Sequence, residues 1–262
     1  MTNNVEIKKW ESVEVERSAS EAQKKLTDDL RISDRIIERY SKPPADTPYP
    51  LEFAYYLLGD AAGKTVLDYG CGSGDNSVLL ADHGAKVIGV DISPELTDLA
   101  NKRLDLHGFG ERVEFRVGSA HDLPLDNESV DVVFGMAILH HLDLDLASRE
   151  VFRVLKKGGR AIFFEPVRNS ALIRFIRKMI PYQSPDVSPF ERPLTDKELK
   201  DFAAEFTNYR SRAFQIPFVN LVEMLGLPDK VFKSATRLDG LMLKNVKFLN
   251  YYASIRVIEM EK

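Results

Sequence analysis

The chain has one cysteine in 262 residues, Cys71, so no disulfide can form within it. Such sparing use of cysteine fits a reducing compartment. No apolar run approaches the ~20 residues that a membrane-spanning helix requires. The opening residues, Met1-Thr2-Asn3-Asn4-Val5-Glu6, lack the basic-then-apolar pattern of a secretory leader. A cytoplasmic protein without stable membrane insertion is therefore expected. No charge of one sign dominates: 36 Lys and Arg oppose 40 Asp and Glu, for a net charge of −4. That balance argues against nucleic acid as the main partner, which would favour a basic surface. Internal repeats and low-complexity tracts are also absent. What remains is an ordinary globular composition, 44% hydrophobic and 29% charged, at a length that suits one large α/β domain.

The pattern along the chain alternates short apolar runs with helical segments. Strands are expected near 65–69, 86–90, 113–117, 130–135 and 160–165, and helices near 75–83, 94–107 and 144–155. Ser93-Pro94-Glu95 is a helix start, with a capping serine, proline in the first turn and an acid at the positive dipole end. Such alternation indicates a doubly wound, mostly parallel sheet whose ligand site lies at the C-terminal ends of its strands. Before it, residues 1–20 are charged, with Trp10 as their one large anchor, and read as an extended arm or short hairpin. Residues 22–40 read as one amphipathic helix and Leu51 to Leu58 as another, separated by a proline-rich connector. After Pro166 the alternation lapses. Thr195-Asp196-Lys197-Glu198 resembles a capping box opening a helix to Phe206. Strands are expected over 212–218 and 251–260, with helices over 219–247.

The most informative stretch is Val66-Leu67-Asp68-Tyr69-Gly70-Cys71-Gly72-Ser73-Gly74. A β-forming run drops into three glycines spaced two apart and passes at once into a helical pattern. Glycines there let the chain turn sharply and let bare backbone approach a ligand. About twenty residues on, Lys86-Val87-Ile88-Gly89-Val90 ends in Asp91, a carboxylate placed at a strand tip to accept from both hydroxyls of a ribose. A nucleoside-bearing cofactor is implied. The dinucleotide fingerprint is G-x-G-x-x-G, and here Asp75 stands where its third glycine would fall. An acid at that helix start repels a pyrophosphate and suits a ligand carrying an ammonium group. A nicotinamide-dependent oxidoreductase on a related sheet is thereby disfavoured but stays as the alternative.

The segment from about Gly63 to Pro166 resembles the core of a class I S-adenosylmethionine-dependent methyltransferase of the broad small-molecule group. The matching pieces follow the family's order. The glycine loop is followed by Val90-Asp91-Ile92-Ser93, Gly118-Ser119-Ala120-His121-Asp122-Leu123-Pro124 and Val130-Asp131-Val132-Val133-Phe134. Then come His140-His141-Leu142 and Leu155-Lys156-Lys157-Gly158-Gly159. The resemblance implies a Rossmann-like seven-stranded sheet, mostly parallel with its last strand antiparallel, plus helical lid insertions. It implies methyl transfer from S-adenosylmethionine to O, N or C of a small molecule, leaving S-adenosylhomocysteine. A binding scaffold without turnover is the remaining alternative.

The same resemblance distributes roles. Gly70, Cys71, Gly72 and Gly74 would wrap the methionine part, with Asp68 orienting the loop or meeting the ammonium group. Asp91 would hold the ribose and Ile92 would flank one face of the adenine. Ala120 would offer its N–H to the adenine edge, with His121 beside it. Gly135 and Met136 would hold the ammonium through backbone carbonyls. His141, or else His140, could act as general base if the acceptor must lose a proton. The His140–Asp145 run contains metal-ligating residue types, but no matching acid comes from another strand and no metal is expected. Glu165, Tyr40, Tyr49, Tyr182 and Arg192 are candidate acceptor contacts. One domain is expected over 1–262: a helical arm over 1–60, a cofactor-binding core over 61–166, acceptor-covering insertions over 167–194 and 219–247, and 195–218 and 248–262 completing the sheet. The acceptor is expected to be a small molecule, apolar if the character of the inserted segments is a guide, and the oligomeric state is left open.

Overall fold

The computed structural model describes residues 4–25, 29–171, 174–175 and 192–262. Its centre is a seven-stranded sheet formed by β1 (Thr65–Tyr69), β2 (Lys86–Asp91), β3 (Val113–Val117), β4 (Val130–Met136), β5 (Leu155–Pro166), β6 (Thr207–Phe214) and β7 (Ile255–Glu261). The spatial order is β3-β2-β1-β4-β5-β7-β6. All neighbours up to β5 are parallel, and β7 runs antiparallel to both β5 and β6. This is the doubly wound sheet with an antiparallel last strand expected from the sequence.

Helices cover both faces: α1 (Asn4–Lys25), α2 (Asp34–Ser41), α3 (Pro50–Leu58), α4 (Asp75–Asp82), α5 (Pro94–His107), α6 (Leu144–Val154), α7 (Asp196–Phe202), α8 (Pro217–Met224) and α9 (Asp229–Asn245). Strand alternation explains the two cores. Val66, Val132 and Ile162 point into the layer under α3, α4 and α5. Their neighbours Leu67, Val133 and Phe163 point into the opposite layer, under α6 and α7. Central strands buried on both faces account for the near-continuous apolar runs in the sequence.

The strand order reverses between β1 and β4, where Tyr69 pairs with Gly135. Loops leaving these two strands diverge, and the divergence opens a crevice at their C-terminal ends. Local caps hold the adjoining helices. Ser93 accepts from the N–H of Leu96 at 3.2 Å, and the Thr195–Glu198 capping box is present as expected.

Several expected elements are corrected. Residues 4–25 form helix α1, not an extended arm or hairpin, and the single helix expected over 22–40 is α1's end and α2, separated by non-helical residues around 29–33. β6 occupies 207–214, about five residues before its expected place. Gln215 then takes a left-handed φ of 58°, and its N–H and that of Ile216 donate to the two oxygens of Asp239 in α9. β7 begins at Ile255, after a 3-10 segment over 247–252.

Candidate functional site

A cavity of about 280 Å³ fills the crevice above β1, β2 and β4. Its floor is the glycine loop. Gly70, Gly72 and Gly74 all adopt left-handed φ, at 75°, 50° and 79°, and two of them do so where a side chain has no room. A Cβ on Gly70 would lie 2.7 Å from Ile138, and one on Gly74 would lie 2.9 Å from Ala100. Gly72 differs, because a Cβ there would meet nothing within 4 Å. Its backbone faces open cavity, the geometry that lets a ligand approach closely.

Asp91 lines the cavity and ties the loop to β2. Its Oδ2 accepts the Gly72 N–H at 2.8 Å and its Oδ1 accepts the Ser93 N–H at 3.0 Å. Each carboxylate oxygen has two acceptor positions, so one on each remains for hydroxyls of a ligand. Burial raises this carboxyl above its ordinary value, opposed by the N–H groups of Ser93 and Gly72. Ile92 and Ala120 also line the cavity, and Tyr69 fixes the second by donating its hydroxyl to the Ala120 carbonyl at 2.7 Å.

The wall that closes the cavity was not foreseen from the sequence. Helix α1 lays one face over it, with Trp10, Glu11, Glu14, Ser18, Glu21 and Lys25 among the lining residues. These recur at helical spacing. The helix is held at one end by Ala22 packed on Leu96 and Leu99 of α5, and Lys25 donates to Ser73 Oγ at 3.3 Å. Each of the two cavity histidines meets a carboxylate from α1. His121 accepts the Asp143 N–H on Nε2 at 3.0 Å, so its Nδ1 carries the proton and faces Glu11 Oε1 at 3.2 Å. Ser119 donates its hydroxyl to the same Glu11 oxygen. His141 Nδ1 is buried without a hydrogen-bond partner, and Glu14 Oε1 lies 3.5 Å away. That separation is too long for a hydrogen bond at this donor but short enough for a charge to be felt.

Gly70, Cys71, Gly72, Asp91, Ile92, Ala120, His121, Met136 and His141 are brought together on the cavity wall. Others expected there stand behind it. Asp68 is buried beneath the loop and accepts from Ser77 Oγ at 2.5 Å, with burial raising its carboxyl to about 7 against the opposing Ser77 bond. Gly74 is the N-cap of α4, and Gly135 makes room for the Phe163 ring. His140 turns inward, its Nδ1 2.9 Å from Glu165 Oε2. Glu165 is fully buried and its other oxygen accepts the N–H groups of Ile138 and Leu139 at 2.9 and 2.8 Å. It braces the loop after β4 and does not reach the cavity. Ala137 in that loop takes a left-handed φ of 54°, a strained position for alanine, and donates to the Phe164 carbonyl at 2.8 Å.

Tyr40 and Tyr49 lie elsewhere, where the Arg39 guanidinium sits 5.6 and 4.7 Å from their rings. Arg192 is exposed and paired with Glu198. Tyr182 falls outside the described residues, as does most of 167–194. Among the described residues, none that lines the cavity comes from 219–247, and that segment packs on β6 and the 45–48 loop. Asp75 lines the cavity but is bound to Arg103 of α5 at 3.0 Å. The Cys71 thiol is pushed well above its usual range by burial and by Asp68 and Asp91, which makes it a packing residue and not a nucleophile.

Comparison with known proteins finds that residues 67–163 match the family described as methyltransferase domain. Over 135 residues the chain is 32% identical to a demethylmenaquinone methyltransferase of Lactococcus lactis, covering 48% of this chain and 53% of that protein. Over 165 residues it is 32% identical to an uncharacterized methyltransferase of Mycobacterium tuberculosis, covering 62% of this chain and 65% of that one. The chain thus spans about half to just under two thirds of the length of these two relatives. Among solved structures, geranyl diphosphate C-methyltransferase from Streptomyces coelicolor superposes with a TM-score of 0.59 at 21% identity, over 80% of this chain and 77% of that one. At that identity the likeness speaks for the fold.

Proposed function

Because residues 67–163 form a methyltransferase domain of the class I S-adenosylmethionine-dependent kind, we propose that the chain transfers a methyl group from S-adenosylmethionine to a small, apolar acceptor in the cytoplasm. The observation that carries this reading is the pairing of Asp91 with Gly72. A carboxylate with spare acceptor positions stands at the tip of β2, beside a glycine whose Cβ direction is open.

When bound, S-adenosylmethionine supplies a methyl carbon made electrophilic by its sulfonium. Asp91 would hold the ribose, the backbone of Gly70 to Gly72 would take the methionine part, and Ile92 with Ala120 and His121 would hold the adenine. Glu11 supplies a carboxylate at that adenine edge, where Ser119 and His121 themselves carry none. Trp10, Met136, Ile138 and Leu142 line the same cavity with apolar side chains. That lining excludes water and fits an acceptor of the quinone or isoprenoid kind, the classes named for the Lactococcus and Streptomyces relatives. Acceleration then rests on alignment in a dry site, since a neutral thioether leaves and no developing anion needs stabilising there.

His141 is the chain's candidate for removing an acceptor proton. Its Nδ1 is buried at the cavity wall without a hydrogen-bond partner, and a proton accepted there sits opposite Glu14. The cavity, at about 280 Å³, lies just below the roughly 300–1,000 Å³ typical for one ligand, so α1 must shift for cofactor and acceptor to be held together. Incubation with methyl-tritiated S-adenosylmethionine and a panel of demethylated quinones and prenyl compounds tests the reading. Label in an organic-soluble product, with S-adenosylhomocysteine released, is expected; no product and no S-adenosylhomocysteine with any acceptor of the panel counts against it.

A further inference from the structure

Helix α9 carries three stripes. Thr236, Asp239 and Leu243 are buried against the body of the protein. Rotated from them by about 150° around the helix axis, Val231, Leu238 and Leu241 are exposed, the last at 60%. A further rotation of about 100° brings the exposed cations Lys230, Lys233, Arg237 and Lys244. The apolar surface continues on the neighbouring elements, through Leu221 and Leu225 at α8 and through Phe248, Tyr251 and Tyr252 in the 3-10 segment. Nine of the fourteen large apolar side chains exposed among the described residues fall within 221–252, so the exposure is concentrated and not scattered.

We propose that this face is a docking surface for an anionic membrane leaflet, with the apolar stripe entering the headgroup boundary and the basic stripe meeting the lipid phosphates. Charge decides between occupants. Lys230, Lys233, Arg237, Lys244 and Lys247 are exposed and form no ion pair among the described residues, against one described exposed carboxylate, Asp229. This stands out in a chain whose net charge is −4. A two-fold contact with a second copy would bring the same cations against one another, whereas anionic headgroups neutralise them. Tyr251 and Tyr252 suit the same boundary, where an apolar ring and a polar tip are both accommodated, and Phe248 adds apolar surface beside them. No helix among the described residues is long and apolar enough to cross a membrane, and the proposed contact is one at the surface.

The face emerges from the cavity end of the sheet. Phe214, the end of β6, and Pro166, the end of β5, both pair with Ile255 at the start of β7. The segment joining β6 to β7 therefore stands at the end where the crevice opens, and an apolar acceptor dissolved in lipid would be near it. The docking inference itself rests on α8, α9 and the 3-10 segment and not on methyl transfer.

Co-sedimentation of the full chain with vesicles tests it. Vesicles of equal parts phosphatidylcholine and phosphatidylglycerol should carry the protein into the pellet, phosphatidylcholine alone should not, and added salt should release it. Arg237→Glu with Lys244→Glu should weaken binding by at least about thirty-fold, and Leu238→Ser with Leu241→Ser should weaken it without changing S-adenosylhomocysteine affinity, which serves as the control for folding. Equal pelleting with and without vesicles, or unchanged binding by both variants, overturns the proposal. So does a dimer in sedimentation velocity that Leu238→Ser abolishes while vesicles bind nothing. Vesicle binding by a chain that fails to bind S-adenosylhomocysteine would leave this surface standing and remove the cofactor reading.

Discussion

Glu11, in the N-terminal helix, places its Oε1 3.2 Å from Nδ1 of His121, 110 positions further along the chain. The contact joins α1 to the edge of the cavity where the adenine of the cofactor is proposed to lie. The carboxylate comes from a helix laid over the sheet and not from the sheet itself.

Removing it should weaken the cofactor site and spare the core. Glu11→Ala removes the carboxylate proposed at the adenine edge, and losing a hydrogen bond from the ligand to a charged group costs about 1.5–3 kcal/mol. Calorimetric titration with S-adenosylhomocysteine should show affinity lowered by roughly ten- to a hundred-fold at nearly unchanged melting temperature. Unaltered affinity would detach α1 from the cofactor.

The loop glycines should separate stability from binding. Gly70→Ala must hold a left-handed φ and also meets Ile138 at 2.7 Å, so thermal unfolding should report a loss of about 2–4 kcal/mol. Gly72→Ala has the unfavourable φ but open space. It should cost about 1–2 kcal/mol of stability and lose more in cofactor affinity than in folding.

Asp68 gives a pH signature. Its carboxyl is raised from 3.8 to about 7 by burial, opposed by Ser77. A raised acid holds its proton more tightly folded than unfolded. Its contribution to stability is therefore full below about 4 and is lost as pH rises through about 7, a change of at most roughly 4 kcal/mol. Denaturant unfolding at pH 5 and pH 8 should show the wild type losing stability across that range relative to Asp68→Asn. A parallel response in both proteins would contradict the assignment.

His141 should matter to turnover and not to the cofactor. With a proton-losing acceptor, His141→Ala should lower kcat by about 10²–10⁴-fold while S-adenosylhomocysteine affinity changes little. Glu14→Gln should give a smaller loss in the same direction, because Glu14 acts through the histidine. Equal kcat in wild type and His141→Ala would remove the base.

The sheet was legible in the sequence because strands buried on both faces leave unbroken apolar runs, and because glycine adopts the loop's left-handed φ values without strain. Helix α1 was not legible for the converse reason. The face it buries meets polar groups of the cavity wall, Ser73, Ser119, His121 and His141, so its helical spacing is written in Glu11, Glu14, Ser18, Glu21 and Lys25, while Ile7 and Ala22 are its buried apolar residues. β6 was misplaced because it is an edge strand, where Thr207, Asn208, Arg210 and Ser211 are exposed and give little apolar alternation. Glu165 was read as a cavity residue from its place at a strand end. Only the turn of the loop after β4 reveals that it accepts from Ile138 and Leu139 beneath the wall.

The central claim is that the cavity floored by Gly72 and Asp91 holds S-adenosylmethionine. Calorimetric titration of the chain with S-adenosylhomocysteine, with NAD in a parallel experiment, tests it most directly. The account predicts one-to-one binding of S-adenosylhomocysteine, no heat with NAD, and loss of at least a hundred-fold in affinity on Asp91→Ala. No binding of S-adenosylhomocysteine, or binding of NAD that Asp91→Ala abolishes, would contradict it.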